Sequence, residues 1–286
     1  MTTTTVRDQV KDARRRLRAA GIPDSESELD ARLLAQETLG WDTARLIADA
    51  GTAATPEFIQ AFDHLVSRRE RREPMAYLLG RQEFWGLSFE VTRDVLIPRP
   101  ETELLIELAV ELLDPGRPLL LADIGTGSGC IAVALATTFP LARVTATDIS
   151  AAALRTARRN AERHGVADRV EFVRTSLFDG IEKQFDFIAS NPPYVAEAVR
   201  DTLQPEVREH EPGGALFAGR DGLAVIRQLL QHVWSRLKPD APFVFEFGFG
   251  QAQDVSVLIA DAPRVELTGM KNDLQGIPRA AIVTRN

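Results

Sequence analysis

The chain has 286 residues, 44% hydrophobic and 26% charged, with a formal net charge of −7; that length carries a full core and room for two domains, and the acidic balance argues against a groove built for a phosphate backbone. A single cysteine, Cys130, excludes an internal disulfide, and the four scattered histidines offer no metal-ligand spacing, so no metal is expected. No apolar run reaches the ~20 residues of a membrane span and the first 18 residues lack the apolar segment of a secretory signal, which makes the cytoplasm the expected location, with no membrane partner.

Residues 1–74 are predicted to form a small helical bundle. Val6, Val10, Ala13 and Leu17 recur at helical spacing. Ser25 to Glu28 have the form of a capping box, with Leu29, Leu33 and Leu34 as the apolar stripe behind it and Gly40 as the stop. Thr55-Pro56 starts a further helix with Phe58, Phe62, Leu65 and Val66 inward. The basic knots KDARRRLR and SRRERRE are solvated helix faces or a docking surface for an acidic or RNA-associated partner. Residues 75–97 contain EFWGLSFEV, aromatic and β-branched around Gly86, the pattern of a hairpin linking two domains. Residues 98–286 form the second domain. A helix opens at Pro100, and from Pro118 strands and helices alternate, which predicts parallel βαβ units in a sheet covered on both faces.

Between the first strand and helix of this domain lies DIGTGSG. Gly125, Gly127 and Gly129 let the backbone turn sharply and let a ligand approach it. The spacing is G-x-G-x-G, and Cys130 stands where a dinucleotide loop has its third glycine, so the pattern favours a nucleoside with no pyrophosphate to cradle. Asp148 ends the next strand, 23 residues after Gly125, where a carboxylate can accept both ribose hydroxyls. Cys130 itself heads an apolar helix with no histidine nearby in sequence, the setting of a small packing residue.

The fourth strand, FDFIAS, ends on Asn191-Pro192-Pro193-Tyr194. The Asn191 side-chain carbonyl and the Pro192 backbone carbonyl are two acceptors, the prolines add no competing N–H, and Tyr194 offers a flat face. Such a slot suits a planar NH2. Methyl transfer from a sulfonium puts positive charge on that nitrogen, and fixed acceptors aimed at its hydrogens stabilise the charge as it develops.

DIGTGSG followed by SNPPY resembles the class I S-adenosylmethionine-dependent N-methyltransferases. With YLLGRQEFWGLSFEV, VLIPRPETE, VREHEPGGALFAGRDGL and DLQGIPRAAIV, nearly the whole chain resembles the HemK/PrmC family, the protein-(glutamine-N5) methyltransferases of peptide chain release factors. The resemblance implies a Rossmann-like α/β sheet with an N-terminal helical bundle and a linking β-hairpin. It implies S-adenosyl-L-methionine as cofactor, S-adenosyl-L-homocysteine as product, and a glutamine in a Gly-Gly-Gln loop of class 1 release factors as target. It implies that Gly125, Thr126, Gly127, Ser128 and Gly129 wrap the cofactor's methionine and ribose, that Asp148 holds the ribose hydroxyls, and that Leu177 packs near the adenine. Ser176 stands where family members often carry an acid. Asn191, Pro192, Pro193 and Tyr194 would bind the substrate amide, with Asn191, Pro192 and Tyr194 as the catalytic set and Asn191 also bordering the cofactor. Thr102 and Glu103, from RPETE, would approach the cofactor, and the helical domain would grip the release factor. Three other readings share parts of this pattern: a glutamine methyltransferase acting on a ribosomal protein, a nucleic-acid methyltransferase acting on an exocyclic amine, and a binding module that has lost the chemistry.

Overall fold

The structure, a computed structural model, describes residues 4–285. The chain divides into two compact units. One holds the residues up to Gly80 together with Gln204–His210, and the other holds Arg81–Leu203 and Glu211 onward. The short segment 204–210 thus belongs to the helical unit, which a contiguous stretch of residues 1–74 does not contain.

In the helical unit, α1 (Val6–Ala19) starts on a capping box: Asp8 N donates to Thr5 Oγ1, and Thr5 N donates back to Asp8 Oδ2. The stretch expected to cap the second helix does not do so. Helix α2 (Asp24–Leu39) begins behind Pro23 with no side-chain cap, so Ser25 to Glu28 lie inside its first turns. Its buried face is Ser27, Asp30, Ala31, Leu34 and Ala35, while Leu29 is 53% exposed. Two forces set that face. Small residues let neighbouring helices close in, and Asp30 must reach Arg69. The unit continues with α3 (Thr43–Asp49), capped by Asp42, α4 (Pro56–Glu70), capped by Thr55, and α5 (Met75–Leu79). Helix α4 buries Phe58, Phe62 and Val66, its two rings stacked 5.2 Å apart. It also buries Arg69, whose Nε donates to Asp30 Oδ2 at 2.7 Å and whose other end donates to Glu206 at 2.8 Å. Glu206, on the short helix Pro205–His210, accepts from Arg72 as well. Removing one member of such a set leaves a buried charge unpaired, so the arrangement ties the segment 204–210 firmly into the unit.

The second unit opens with the expected hairpin, β1 (Arg81–Phe84) and β2 (Leu87–Glu90), turned by Trp85-Gly86 with both φ positive, at 54° and 70°. Phe84 and Phe89 bury themselves in this unit's core. A single 3₁₀ turn, Pro100–Thr102, leads into α6 (Glu103–Leu112). Then follow β3 (Leu120–Ile124), α7 (Cys130–Thr138), β4 (Arg143–Asp148), α8 (Ala151–Arg163), β5 (Val170–Arg174) and β6 (Phe187–Ser190). With Pro205–His210 counted as α9, the chain ends α10 (Ala224–His232), β7 (Pro242–Glu246), α11 (Ala252–Ala260), β8 (Val265–Asn272) and β9 (Pro278–Arg285). The strands form one sheet in the order β5-β4-β3-β6-β7-β9-β8, with a hydrophobic cluster on each side.

The expectation of parallel pairing holds for β5 through β7 and fails at the end. β9 runs antiparallel to β7, and β8 antiparallel to β9. The link from β8 to β9 is a short turn, too short for the crossover that parallel strands require. Strand order reverses between β3 and β6, so the crevice for a ligand opens beyond the carboxyl ends of those two strands.

Candidate active site

The loop after β3 is shaped by backbone chemistry. Gly125, Gly127 and Gly129 all take positive φ, at 81°, 54° and 82°. At Gly129 the reason is also steric: a Cβ there would stand 2.9 Å from Ala157 Cβ on α8. The amides of Gly125 and Thr126 both donate to Thr147 O on β4, at 2.9 and 2.8 Å. Asp148, at the end of β4, accepts from Gly127 N at 2.9 Å through one oxygen and from Ser150 N at 2.8 Å through the other. Beneath the loop lies Asp123, fully buried. Its Oδ2 accepts from Thr126 Oγ1 (2.5 Å) and Ala132 N (3.1 Å), while its Oδ1 has no partner among the described residues. Burial pushes the Asp123 carboxyl up to about 7, against the pull of those two bonds.

A cavity of about 400 Å³ opens over this loop. Its walls include Gly125, Thr126, Gly127, Ser128, Asp148, Leu177, Thr102, Asn191 and Pro193, so the structure gathers these expected residues from five separate stretches of chain around one space. Gly129, Pro192, Tyr194 and Glu103 do not line it. Gly129 packs on α8, and Pro192 is buried. Glu103 instead turns its carboxylate to Trp85 N at 2.7 Å, fastening the hairpin turn to the start of α6. Leu177 takes φ 48° and sits beside Ser176 in the cavity wall. Cys130 is buried, and its thiol is pushed up to about 12 by burial, which leaves it neutral and inert.

The NPPY stretch starts where Ser190 Oγ donates to Ile124 O at 2.7 Å, pinning the end of β6 to the end of β3. Asn191 Nδ2 donates to Thr102 Oγ1 at 2.9 Å. Thr102 Oγ1 donates to Glu246 Oε2 at 2.6 Å, and Tyr194 OH donates to Glu246 Oε1 at 2.9 Å. The Asn191 carbonyl oxygen has no protein partner among the described residues. Burial raises the Glu246 carboxyl above its ordinary value, and the two hydroxyls pull it back. The Tyr194 hydroxyl is raised too, by burial first and then by the Glu246 charge.

Three residues outside the glycine loop and NPPY hold this arrangement. Glu246 is 2% exposed at the end of β7. Gln251 donates to Tyr194 O at 3.0 Å and accepts from Gly248 N at 2.7 Å. Gly222 lies so close to the same carbonyl that a Cβ there would come within 2.3 Å of it. Of these, Glu246 left a trace in the sequence: an acid inside the apolar run FVFEFG has no reason to be buried unless it is bonded there. The stretch IPRPE is held in turn by the buried Glu211, which accepts from Ile97 N at 3.2 Å and Arg99 at 2.5 Å.

Residues 8–80 match the model of the PrmC N-terminal domain, and residues 102–212 match that of the methyltransferase small domain. A release factor glutamine methyltransferase of Bradyrhizobium diazoefficiens is 42% identical over 278 residues, covering 95% of this chain and 93% of the relative. A second protein of that description, from Koribacter versatilis, is 40% identical over 280 residues, covering 97% and 98%. Among solved structures, a methyltransferase from Pyrococcus furiosus superposes with a TM-score of 0.54 at 20% identity, covering 77% of this chain and 98% of that one, and shares the fold. The hMettl16 catalytic domain does so with a TM-score of 0.56, also at 20% identity, covering 77% and 81%. Likeness at 40% identity along almost the full length of both chains, through the helical unit and the sheet alike, makes this chain a member of the release factor glutamine methyltransferase family.

Proposed function

We propose that this enzyme methylates the side-chain amide nitrogen, N5, of the glutamine in the Gly-Gly-Gln loop of class 1 peptide chain release factors. The observation that carries the reading is the state of Asn191. Its NH2 is taken by Thr102, and its carbonyl oxygen is left without a protein partner on the wall of the cavity over the glycine loop. An acceptor fixed there suits a substrate that brings its own NH2.

The cavity fits S-adenosyl-L-methionine on its own features. Gly125 and Gly127 add no side chain to its wall, and Asp148 is anchored by two backbone amides with lone pairs left for ribose hydroxyls. Leu177 supplies an apolar surface for a base, and Gly125 to Ser128 line the space for the amino acid portion. The cofactor supplies an activated methyl group on a sulfonium, and S-adenosyl-L-homocysteine is the product.

The chain's residues then act on the amide. Asn191 Oδ1 and the Pro192 carbonyl accept its two hydrogens, and Tyr194, held by Glu246, covers its plane. As the nitrogen takes on positive charge, those oxygens draw it, and they are in place before the reaction starts. No buried base is required, because a methylated amide nitrogen of that kind loses its proton readily to water. Thr102 borders the cofactor space, and the helical unit grips the body of the release factor. The cytoplasm, where release factors work, is the site of action.

The test is mass spectrometry of each class 1 release factor after incubation with the enzyme and S-adenosyl-L-methionine, with bulk tRNA and ribosomal protein in parallel. A single methyl group on the Gly-Gly-Gln peptide is the expected result. Methyl groups on RNA or on ribosomal protein with none on the factor would replace this reading.

A further inference from the structure

Glu246 lies at the end of β7, buried, with one hydroxyl on each carboxylate oxygen: Thr102 Oγ1 at 2.6 Å and Tyr194 OH at 2.9 Å. Ionised, this carboxyl accepts and never donates, so both hydroxyls then donate to it. A hydroxyl has one proton. Once the Thr102 proton lies on Glu246, the Thr102 oxygen can only accept from its next neighbour, Asn191, 2.9 Å away. The Asn191 group that faces Thr102 is therefore its NH2, and its carbonyl is left for the substrate. An asparagine amide has two nearly isosteric orientations, and the hydrogen-bond network decides between them. The opposite orientation would set an NH2 against the substrate's NH2, donor against donor.

We propose that Glu246 is a positioning residue for methyl transfer: acting through the Thr102 hydroxyl it fixes the Asn191 amide with the carbonyl toward the substrate, and through the Tyr194 hydroxyl it fixes the ring over the same slot. The inference rests on the amide-methylating activity proposed above. Glu246 touches neither substrate nor cofactor in this role. Its replacement by Gln keeps shape and volume but turns one of the two acceptors into a donor, which frees the Thr102 proton to point at Asn191.

The test uses the full chain and an unmethylated class 1 release factor, comparing the parent with Glu246→Gln, Thr102→Val, Thr102→Ser and the double variant Glu246→Gln/Thr102→Val. Misaligned transition-state acceptors are expected to lower kcat by roughly tenfold to a hundredfold in Glu246→Gln and in Thr102→Val, with KM for the factor changed by less than about threefold in both and Kd for S-adenosyl-L-methionine by less than about threefold in Glu246→Gln. Thr102→Ser, which keeps the hydroxyl, is expected to restore most of the turnover that Thr102→Val loses. Because the two residues act in one chain of bonds, the double variant should be no slower than the slower single variant. A kcat for Glu246→Gln within about threefold of the parent, losses that multiply in the double variant, or a Thr102→Ser as slow as Thr102→Val would overturn the proposal. A second readout needs no catalysis. In a ¹H–¹⁵N spectrum the Asn191 side-chain NH2 should exchange slowly in the parent and lose that protection in both single variants; unchanged exchange would sink the relay. An inactive parent with a protected Asn191 would count against the proposed function alone.

Discussion

The two walls of the proposed catalytic pocket, a cofactor side and an amide side, are built in opposite ways. On the cofactor side the polar contacts come largely from the backbone: Gly125 N and Thr126 N on Thr147 O, Gly127 N and Ser150 N on Asp148. On the amide side they come from side chains brought together from distant parts of the chain, Asn191 on Thr102 across 89 positions and Thr102 on Glu246 across 144. A wall of backbone amides keeps its shape as long as the loop keeps its φ angles. A wall of side chains keeps its shape only while each proton stays where its neighbour puts it. The comparison teaches that the first wall should fail by losing ligand and the second by losing turnover.

Replacing Asn191 by Ala breaks the side-chain wall at its working end. Turnover should fall by roughly a hundredfold to a thousandfold, the scale for losing one preorganised transition-state dipole, while calorimetry finds cofactor affinity within a few fold of the parent. Equal losses in both quantities would erase the distinction between the walls. Asp148→Ala breaks the other side. It removes the acceptor for two loop amides as well as the proposed ribose partner, and cofactor affinity should drop by about tenfold to a hundredfold, with kcat at saturating cofactor much less affected. Gly129→Ala sharpens the comparison from within the loop. The new Cβ meets Ala157 at 2.9 Å and the φ of 82° is one that side chains avoid, so urea unfolding should show a loss of about 1–3 kcal/mol.

A comparable effect concerns Asp123, which supports the backbone wall from below. Its carboxyl titrates near 7 in the folded protein, against an ordinary 3.8, so between those values the native state holds a proton that the unfolded chain has released. The sign follows: this group's contribution is full below about pH 4 and is lost as pH rises toward 7. Urea denaturation at pH 5 and pH 8 should show the parent losing more stability across that interval than Asp123→Asn, which has no proton to lose.

Several features were legible in the residues alone. The alternation of strands and helices, the hairpin around Gly86, the helix entry at Thr55-Pro56 and the glycine-rich turn after β3 all rest on local rules of φ, capping and periodicity, and each stands where those rules put it. The expected cap at Ser25 failed because Pro23 already occupies the turn before α2, and because a buried ion pair between Asp30 and Arg69 chose the inward face. The antiparallel end of the sheet comes from two consecutive strands, β8 and β9, that no helix separates, so the alternation of strands and helices does not govern their direction. Glu103 shows the limit of a motif: Thr102 and Glu103 are neighbours, yet one borders the cavity and the other fastens a hairpin turn.

The sequence by itself determined the backbone half of this enzyme, since a glycine's φ range, a proline's missing N–H and an acid at a strand end act within a few residues of where they are written. Only the tertiary structure decided the side-chain half. In the relay proposed above, whether Asn191 offers its oxygen or its nitrogen to a substrate depends on where the proton of Thr102 points, and that depends on Glu246, brought alongside by the pairing of β6 with β7. Hydrogen-bond direction is a property of groups in contact, and contact between positions 102, 191 and 246 exists only once the sheet has closed.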